Sequence, residues 1–180
     1  LNHYRALARF YVQQNSFAEA TDILRKAMER APGDPAVAKA MTQVRLAEFD
    51  ADIARLKEAG DAAALETKEN ARLQFLFDDL NDRVKRYPND LELRYEFGVM
   101  LFENDNINEA IQQLQLAQRS LKNRTLALFY LGMCFKEKKQ YDLALQQLES
   151  AAAELVPMDD TKKDIIYELG EISDSIKDCL

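Results

Sequence analysis

The chain has 180 residues, 47% hydrophobic and 31% charged, enough to bury a core and too apolar for a disordered segment. Lys and Arg number 24 against 31 Asp and Glu, a net charge of −7, so a nucleic-acid surface, which needs clustered positive charge, is not expected. The longest uncharged apolar run, Leu126–Phe135, is ten residues, and a bilayer span needs about 20, so no membrane span is expected. With five Gly, four Pro and no Trp beside abundant Ala, Leu, Glu, Gln, Lys and Arg, the composition is that of a helix former.

In chain order, residues 1–34 carry Tyr4, Leu7, Ala8 and Tyr11, then Phe17, Ala20, Leu24 and Ala27, and end at Pro32. Pro35 after Asp34 opens a helix at its favoured first-turn position. Val37, Met41 and Val44, then Leu46, Phe49, Ile53 and Leu56, keep helical spacing as far as Gly60-Asp61. A return helix follows through Leu65, Leu73, Leu76, Phe77, Leu80, Val84 and Tyr87 to Pro88. The 56 positions from Pro32 to Pro88 therefore form one elongated antiparallel hairpin, with arms of ~37 Å. Between Leu65 and Leu73 the return helix has no large apolar residue. Ile53 is thus expected to face a polar stretch, and residues 57–72 to be the most mobile part.

Leu93, Phe97, Met100 and Leu101 form the next apolar stripe; Asn104-Asp105-Asn106 breaks it, and Ile107, Ala110, Ile111, Leu114 and Ala117 form another. Placing 91–124 over 125–158, an offset of 34, superimposes Gly98 on Gly132, Ala110 on Ala144, Leu114 on Leu148 and Ala117 on Ala151. Tyr95 falls on Phe129, Phe97 on Leu131 and Leu121 on Leu155, and the break recurs at Lys138-Lys139-Gln140. Each unit is two helices. A mid-helix glycine costs about 1 kcal/mol relative to alanine. Close approach of the second helix would offset this, with Gly98 against Ala110 and Gly132 against Ala144.

A 34-residue pair of helices with this pattern of aromatic, Leu-Gly, aromatic, Ala and Pro resembles the tetratricopeptide repeat, here of the bacterial type. Tyr4 takes the Trp slot, Leu7-Ala8 the Leu-Gly slot, and Pro32 closes the first unit; Lys122 replaces that proline in the second, and Pro157 comes one place late in the third. The resemblance implies an all-α fold, a TPR-like α-solenoid of stacked antiparallel hairpins. Its parts would be repeats at 1–34, 91–124 and 125–158, a stretched repeat at 35–90, and a first helix of a further repeat, or a capping helix, at 159–180. In that last helix Ile165, Leu169, Ile172 and Ile176 share one face, while Ile166, Leu169 and Gly170 form an apolar strip open to a second helix. The chain, which begins at Leu1 without a recognisable leader, reads as a piece of a longer protein that continues with more repeats. Its compartment is left open, with the cytoplasm slightly favoured.

By the same resemblance the first helix of each unit lines a concave groove. The groove residues would be Arg5, Arg9, Tyr95, Val99, Phe102, Phe129, Met133, Lys136 and Tyr167, with Asn2, Gln13, Glu92, Glu103, Leu126, Glu137 and Glu171 beside them. Chaperone-binding members hold a terminal carboxylate with Lys, Asn and Arg; Tyr95, Val99, Phe129 and Met133 occupy those slots here. An aromatic groove with charged edges suits an amphipathic helix or extended peptide, and the competing role for Tyr95, Phe129 and Met133 is packing between repeats.

Chemistry is not expected. His3 stands alone near the start, and no phosphate loop, metal motif or paired cysteine is present. Cys134 reads as a small buried hydrophobe, Asp78-Asp79 and Asp159-Asp160 as surface or capping carboxylates, and Asn123-Arg-Thr125 as a chance glycosylation triplet. The expected function is a non-catalytic protein–protein interaction scaffold without cofactors, taking a protein or peptide in the groove. The alternative is an accessory or regulatory repeat domain of a larger protein with catalysis elsewhere. Self-association through the open C-terminal face or the elongated hairpin is a second expected contact.

Overall fold

The computed structural model describes residues 1–154 and 160–177, with side chains for 1–154 and 163–172. Leu155, Pro157, Asp159, Cys179 and Leu180 lie outside the described residues, as do the side chains of Asp160, Thr161 and Ile176. Among the described residues there are helices α1 (Asn2–Gln13), α2 (Phe17–Arg30), α3 (Pro35–Ala59), α4 (Ala62–Arg86), α5 (Leu91–Glu103), α6 (Ile107–Ala117), α7 (Arg124–Glu137), α8 (Tyr141–Glu154) and α9 (Asp160–Lys177), and no strand. They fall into two compact units, Leu1–Asp79 and Leu80–Leu180.

Within the first unit α1 packs on α2, α2 on α3, and α1 on α3. In the second, each helix from α5 to α9 packs on the next, and α5 also touches α7. Pairing of neighbours plus contact between first helices is the arrangement of stacked antiparallel hairpins, an all-α TPR-like solenoid with one elongated hairpin. Local chemistry places the helix ends. The Asp34 carboxylate accepts from the Ala36 and Val37 amides (2.9 and 3.0 Å) ahead of Pro35, and Asp90 accepts from Leu93 (3.0 Å). Gly60, at φ 71°, closes α3 in the left-handed conformation that glycine takes without penalty.

The short hairpins share one turn. Asn15, Asp105 and Lys139 have φ of 55°, 59° and 57°. The amide of the following residue then reaches back to the first helix: Ser16 to the Tyr11 carbonyl, Asn106 to Leu101 and Gln140 to Phe135, each at 2.9 Å. This six-residue closure caps the helix and sends the chain back antiparallel.

The two mid-helix glycines are sockets, but their partner differs from the expected alanine. A Cβ on Gly98 would lie 2.8 Å from Leu114 Cγ and 3.4 Å from Gln113 Cβ. One on Gly132 would lie 2.6 Å from Leu148 Cγ, with Ala144 contributing only its carbonyl oxygen at 3.4 Å. A leucine of the second helix therefore fills each gap. Side chains on a helix tilt toward its N-terminus, so the knob comes from one turn beyond the alanine that sequence alone suggests. The alanines hold the helices close: Ala110, Ala117, Ala144 and Ala151 are all fully buried with Leu114 and Leu148. In the first unit Ala8 takes the socket position and clusters with Ala20, Leu24 and Val44.

Some apolar positions of the sequence pattern fall outside the core. Leu73 is half exposed on α4, and Leu121, in the link between α6 and α7, is almost wholly so. Asn123 is 7% exposed, too buried for a glycosylation acceptor. Filling a leucine-occupied socket should overpack it, whereas Gly170 has open space around it. Gly98→Val and Gly132→Val are expected to lower unfolding free energy by about 1–3 kcal/mol, and Gly170→Ala to raise it by up to about 1 kcal/mol. Urea denaturation of each variant checks the contrast.

Candidate functional site

In the first unit, α1 and α3 enclose a cavity of about 230 Å³ lined by Arg5, Ala8, Arg9, Val12, Gln13, Ala40, Gln43 and Val44. The spacing i, i+4 places Arg5, Arg9 and Gln13 along one edge of α1. Arg5 Nη2 donates to Asn2 Oδ1 (2.6 Å), which steadies its guanidinium. Ala8, Val12, Ala40 and Val44 supply an apolar floor. The sequence reading names Arg5, Arg9 and Gln13 but misses Ala40, Gln43 and Val44. All three lie on α3, the first helix of the stretched repeat, so the rule that first helices line the groove applies to them as well.

In the second unit three of the residues expected to line a groove, Tyr95, Phe102 and Phe129, gather around one that the repeat pattern does not single out, Tyr130. Its ring meets Tyr95, Phe102 and Phe129 edge to face, at centroid distances of 6.3, 5.7 and 5.5 Å. Burial, followed by the neighbouring Tyr130 and Glu103, pushes the Tyr95 hydroxyl up to about 12, and burial and Glu103 raise Tyr130. Both therefore remain neutral hydrogen-bonding phenols at neutral pH. Val99, Phe102 and Met133 are half-buried. Phe129 also packs against the cluster of Leu128, Ala144, Leu148, Ala151, Ile165 and Ile172, so one ring serves both core and surface.

Lys136 and Tyr167 belong to a separate network. Lys136 Nζ donates to Glu168 Oε2 (2.6 Å) and Glu171 Oε2 (2.7 Å), and the Tyr167 hydroxyl donates to Glu171 Oε1 (2.8 Å). Desolvation pulls the Lys136 ammonium down, and the two glutamates more than reverse it. Hydrogen bonds from Lys136 and Tyr167 hold Glu171 below the usual carboxylate range. Lys136 thus ties α7 to α9, and Tyr167 stays 65% exposed above the tie.

The arms of the elongated hairpin, within the first unit, meet through rings at the base and charges above. Phe49 packs on Phe75 at 5.7 Å, and Thr42 Oγ1 donates to Asp79 Oδ2 at 2.8 Å. Beyond them Arg72 pairs with Asp50 (2.7 Å), Lys68 with Asp52 (2.7 Å) and Lys57 with Glu69 (3.2 Å). The Lys68 hydrogen bond, aided by Arg55, holds Asp52 below the usual carboxylate range. Ile53, Leu56 and Leu65 are only half-buried there.

The remaining candidates for chemistry are placed apart. His3 stacks on Tyr4 at 4.1 Å near the chain start. Asp78 accepts from Gln74 (3.0 Å) while Asp79 turns to Thr42, so the adjacent carboxylates diverge. Cys134 is fully buried and its thiol is pushed up to about 12, chiefly by desolvation. Among the described residues no three His, Cys, Asp or Glu converge as metal ligands, and no helix is long and apolar enough to cross a membrane.

Two measurements follow from these contacts. Glu171, depressed in the fold, contributes stability that is present above its unfolded value near 4.5 and lost as pH falls through the folded one. Lys136, raised in the fold, contributes below its unfolded value near 10.5 and loses this as pH rises through the folded one. Lys136→Met should therefore lower α9 protection by at most about 1 kcal/mol on the plateau between and flatten the acid limb, read by hydrogen exchange against pH. In the hairpin, amides of residues 57–72 should exchange faster than those of α5–α8. They should speed up further at about 1 M salt, where the screening length is about 3 Å; a slow, salt-insensitive tip would contradict the ion-paired seam.

Residues 1–44 match the tetratricopeptide repeat family in sequence. No curated protein matches the chain in a sequence search. Among solved structures, MamA (residues 41 to the end) from Desulfovibrio magneticus RS-1 is 16% identical at a TM-score of 0.58, covering 98% of this chain and 95% of that one. PilF of Pseudomonas aeruginosa is 15% identical at 0.61, covering 98% and 69%. A putative kinesin light chain from Podosopora anserina, with nearly identical TPR-like repeats, is 15% identical at 0.58, covering 99% and 87%. Identities this low speak to fold alone. The chain therefore has the tetratricopeptide-repeat fold, and its first 44 residues carry that family's sequence signature.

Proposed function

We propose that the chain is a non-catalytic protein–protein interaction scaffold that takes a peptide or helix along the first helices of its hairpins. The observation that carries this is the α1–α3 cavity, where Arg5 and Arg9 border a floor of Ala8, Val12, Ala40 and Val44. A guanidinium pair beside apolar surface suits a carboxylate next to an aliphatic side chain. Gln13 and Gln43 add donors and acceptors that can follow a peptide backbone. In the second unit the exposed faces of Tyr95, Val99, Phe102, Phe129 and Met133 would take apolar side chains, on a separate stretch of ligand. The same reading treats 1–34, 91–124 and 125–158 as repeats, 35–90 as a stretched one and 159–180 as the first helix of another.

The test is a peptide array in which Asp or Glu is paired with Leu at varied spacing, probed with the purified chain. Selected peptides should lose at least about tenfold in affinity for Arg9→Glu, the loss expected from one charge-assisted contact, while its urea midpoint stays put. Equal binding by Arg5→Ala, Arg9→Glu, Tyr95→Ala and Phe129→Ala variants would overturn the groove assignment.

A further inference from the structure

In the first unit aromatic rings carry cations. The Arg30 guanidinium lies 5.4 Å from the centre of the Tyr4 ring, and Arg45 and Lys68 lie 4.9 and 5.5 Å from that of Phe49. The negative face of the ring draws the charge. The second unit gathers four rings, Tyr95 and Phe102 from α5 with Phe129 and Tyr130 from α7, and among the described residues none of them carries a cation. The basic residues of those two helices are engaged elsewhere. Arg94 donates to the Pro88 carbonyl (2.8 Å) and Gln113 (2.7 Å), Arg124 pairs with Glu154 (2.6 Å), and Lys136 is taken by Glu168 and Glu171.

Glu103 makes this cluster more attractive to a positive charge. It closes α5, is exposed, and has no ion pair among the described residues. Its field reaches both phenols, since it raises Tyr95 and Tyr130 alike. A carboxylate in the last turn of a helix opposes the helix dipole, so a cation beside it satisfies both. Neither phenol hydroxyl has a hydrogen-bond partner among the described residues, and each, being neutral, has an oxygen free to accept. Tyr95, Val99 and Phe102 follow one face of α5 at i, i+4 and i+7. Val99, like Met133 one turn beyond Phe129, is half-buried.

We propose that this four-ring face selects an arginine of a basic, amphipathic peptide. The guanidinium lies against the rings, Glu103 is its counter-charge, and the Tyr95 and Tyr130 oxygens accept its N–H groups. Arginine fits better than lysine because its planar head stacks on a ring while its edge donates hydrogen bonds. Its aliphatic stem, and the apolar residues flanking it, lie on Val99 and Met133. The assignment rests on the reading that a peptide runs along the first helices, and adds which side chain the second unit chooses. It is opposite in sign to the α1–α3 cavity, where Arg5 and Arg9 suit an acidic side chain.

The probe is a capped peptide of alanine, leucine, arginine, leucine and alanine in that order. Titrated against the intact chain and followed by NMR, it should shift the Tyr95 and Tyr130 ring signals saturably. Replacing its arginine by citrulline, which keeps the shape and loses the charge, should weaken binding about tenfold, with lysine in between. Glu103→Gln, at an exposed position, should keep the melting temperature and weaken the arginine peptide about threefold. Tyr130→Phe, which keeps the ring and drops the hydroxyl, should weaken it by a similar factor. Equal binding of the citrulline peptide, or of one with norleucine, overturns the inference while leaving an apolar groove in place; so does indifference to Glu103→Gln. Absence of saturable shifts overturns it too, whatever acidic peptides do at Arg5 and Arg9. Ring shifts that arise on concentrating the chain alone would assign the face to a second copy, and overturn it as well.

Discussion

The second unit rests on the close approach of paired helices, enforced where a leucine fills the space left by a glycine. A side chain at Gly98 or Gly132 would put carbon within 3 Å of Leu114 or Leu148, a separation at which the leucine or its helix must shift. Small residues on the second helix keep the backbones near, and the leucine converts that nearness into buried apolar area. Once two such pairs exist, each short hairpin presents similar outer faces, and stacking follows from self-similarity.

The turns share the same economy of parts. Three connections place a residue with positive φ at one position and return an amide to the carbonyl five residues back. Neither Asn15, Asp105 nor Lys139 is glycine, so the hydrogen-bond closure, not the residue's freedom, sets the geometry. The elongated hairpin departs from this. Its turn uses Gly60, its base uses Phe49 and Phe75, and its upper part relies on partly exposed ion pairs. Such pairs contribute little each, which leaves the arm's outer part held by charge and the short hairpins held by packing.

Periodicity made the helices, the elongated hairpin and the two sockets legible in advance, since burial of an apolar face every third or fourth residue is a property of the chain itself. What fills the sockets was not, because sequence spacing ignores the tilt of side chains along a helix. Arg5 and Arg9 were expected in a groove from the repeat resemblance and border the α1–α3 cavity, while Ala40 and Gln43 lie on the first helix of the stretched repeat, whose length breaks the 34-residue register that would have pointed to them. Tyr130 escaped notice because Phe129 next to it already matched the repeat, and a pattern that asks for one aromatic does not ask about the second. Lys136 was read as a groove edge; its two glutamates lie more than thirty residues away in sequence, beyond the reach of any local pattern.

Cys134 carries a practical consequence. With its sulfur wholly enclosed and its proton retained to about 12, it is inert toward alkylating reagents while α7 keeps its packing, because the thiolate is the reactive form. Its modification rate therefore clocks how often the second unit opens. The protein carries a native stopwatch for breathing of that unit, one that needs no introduced label.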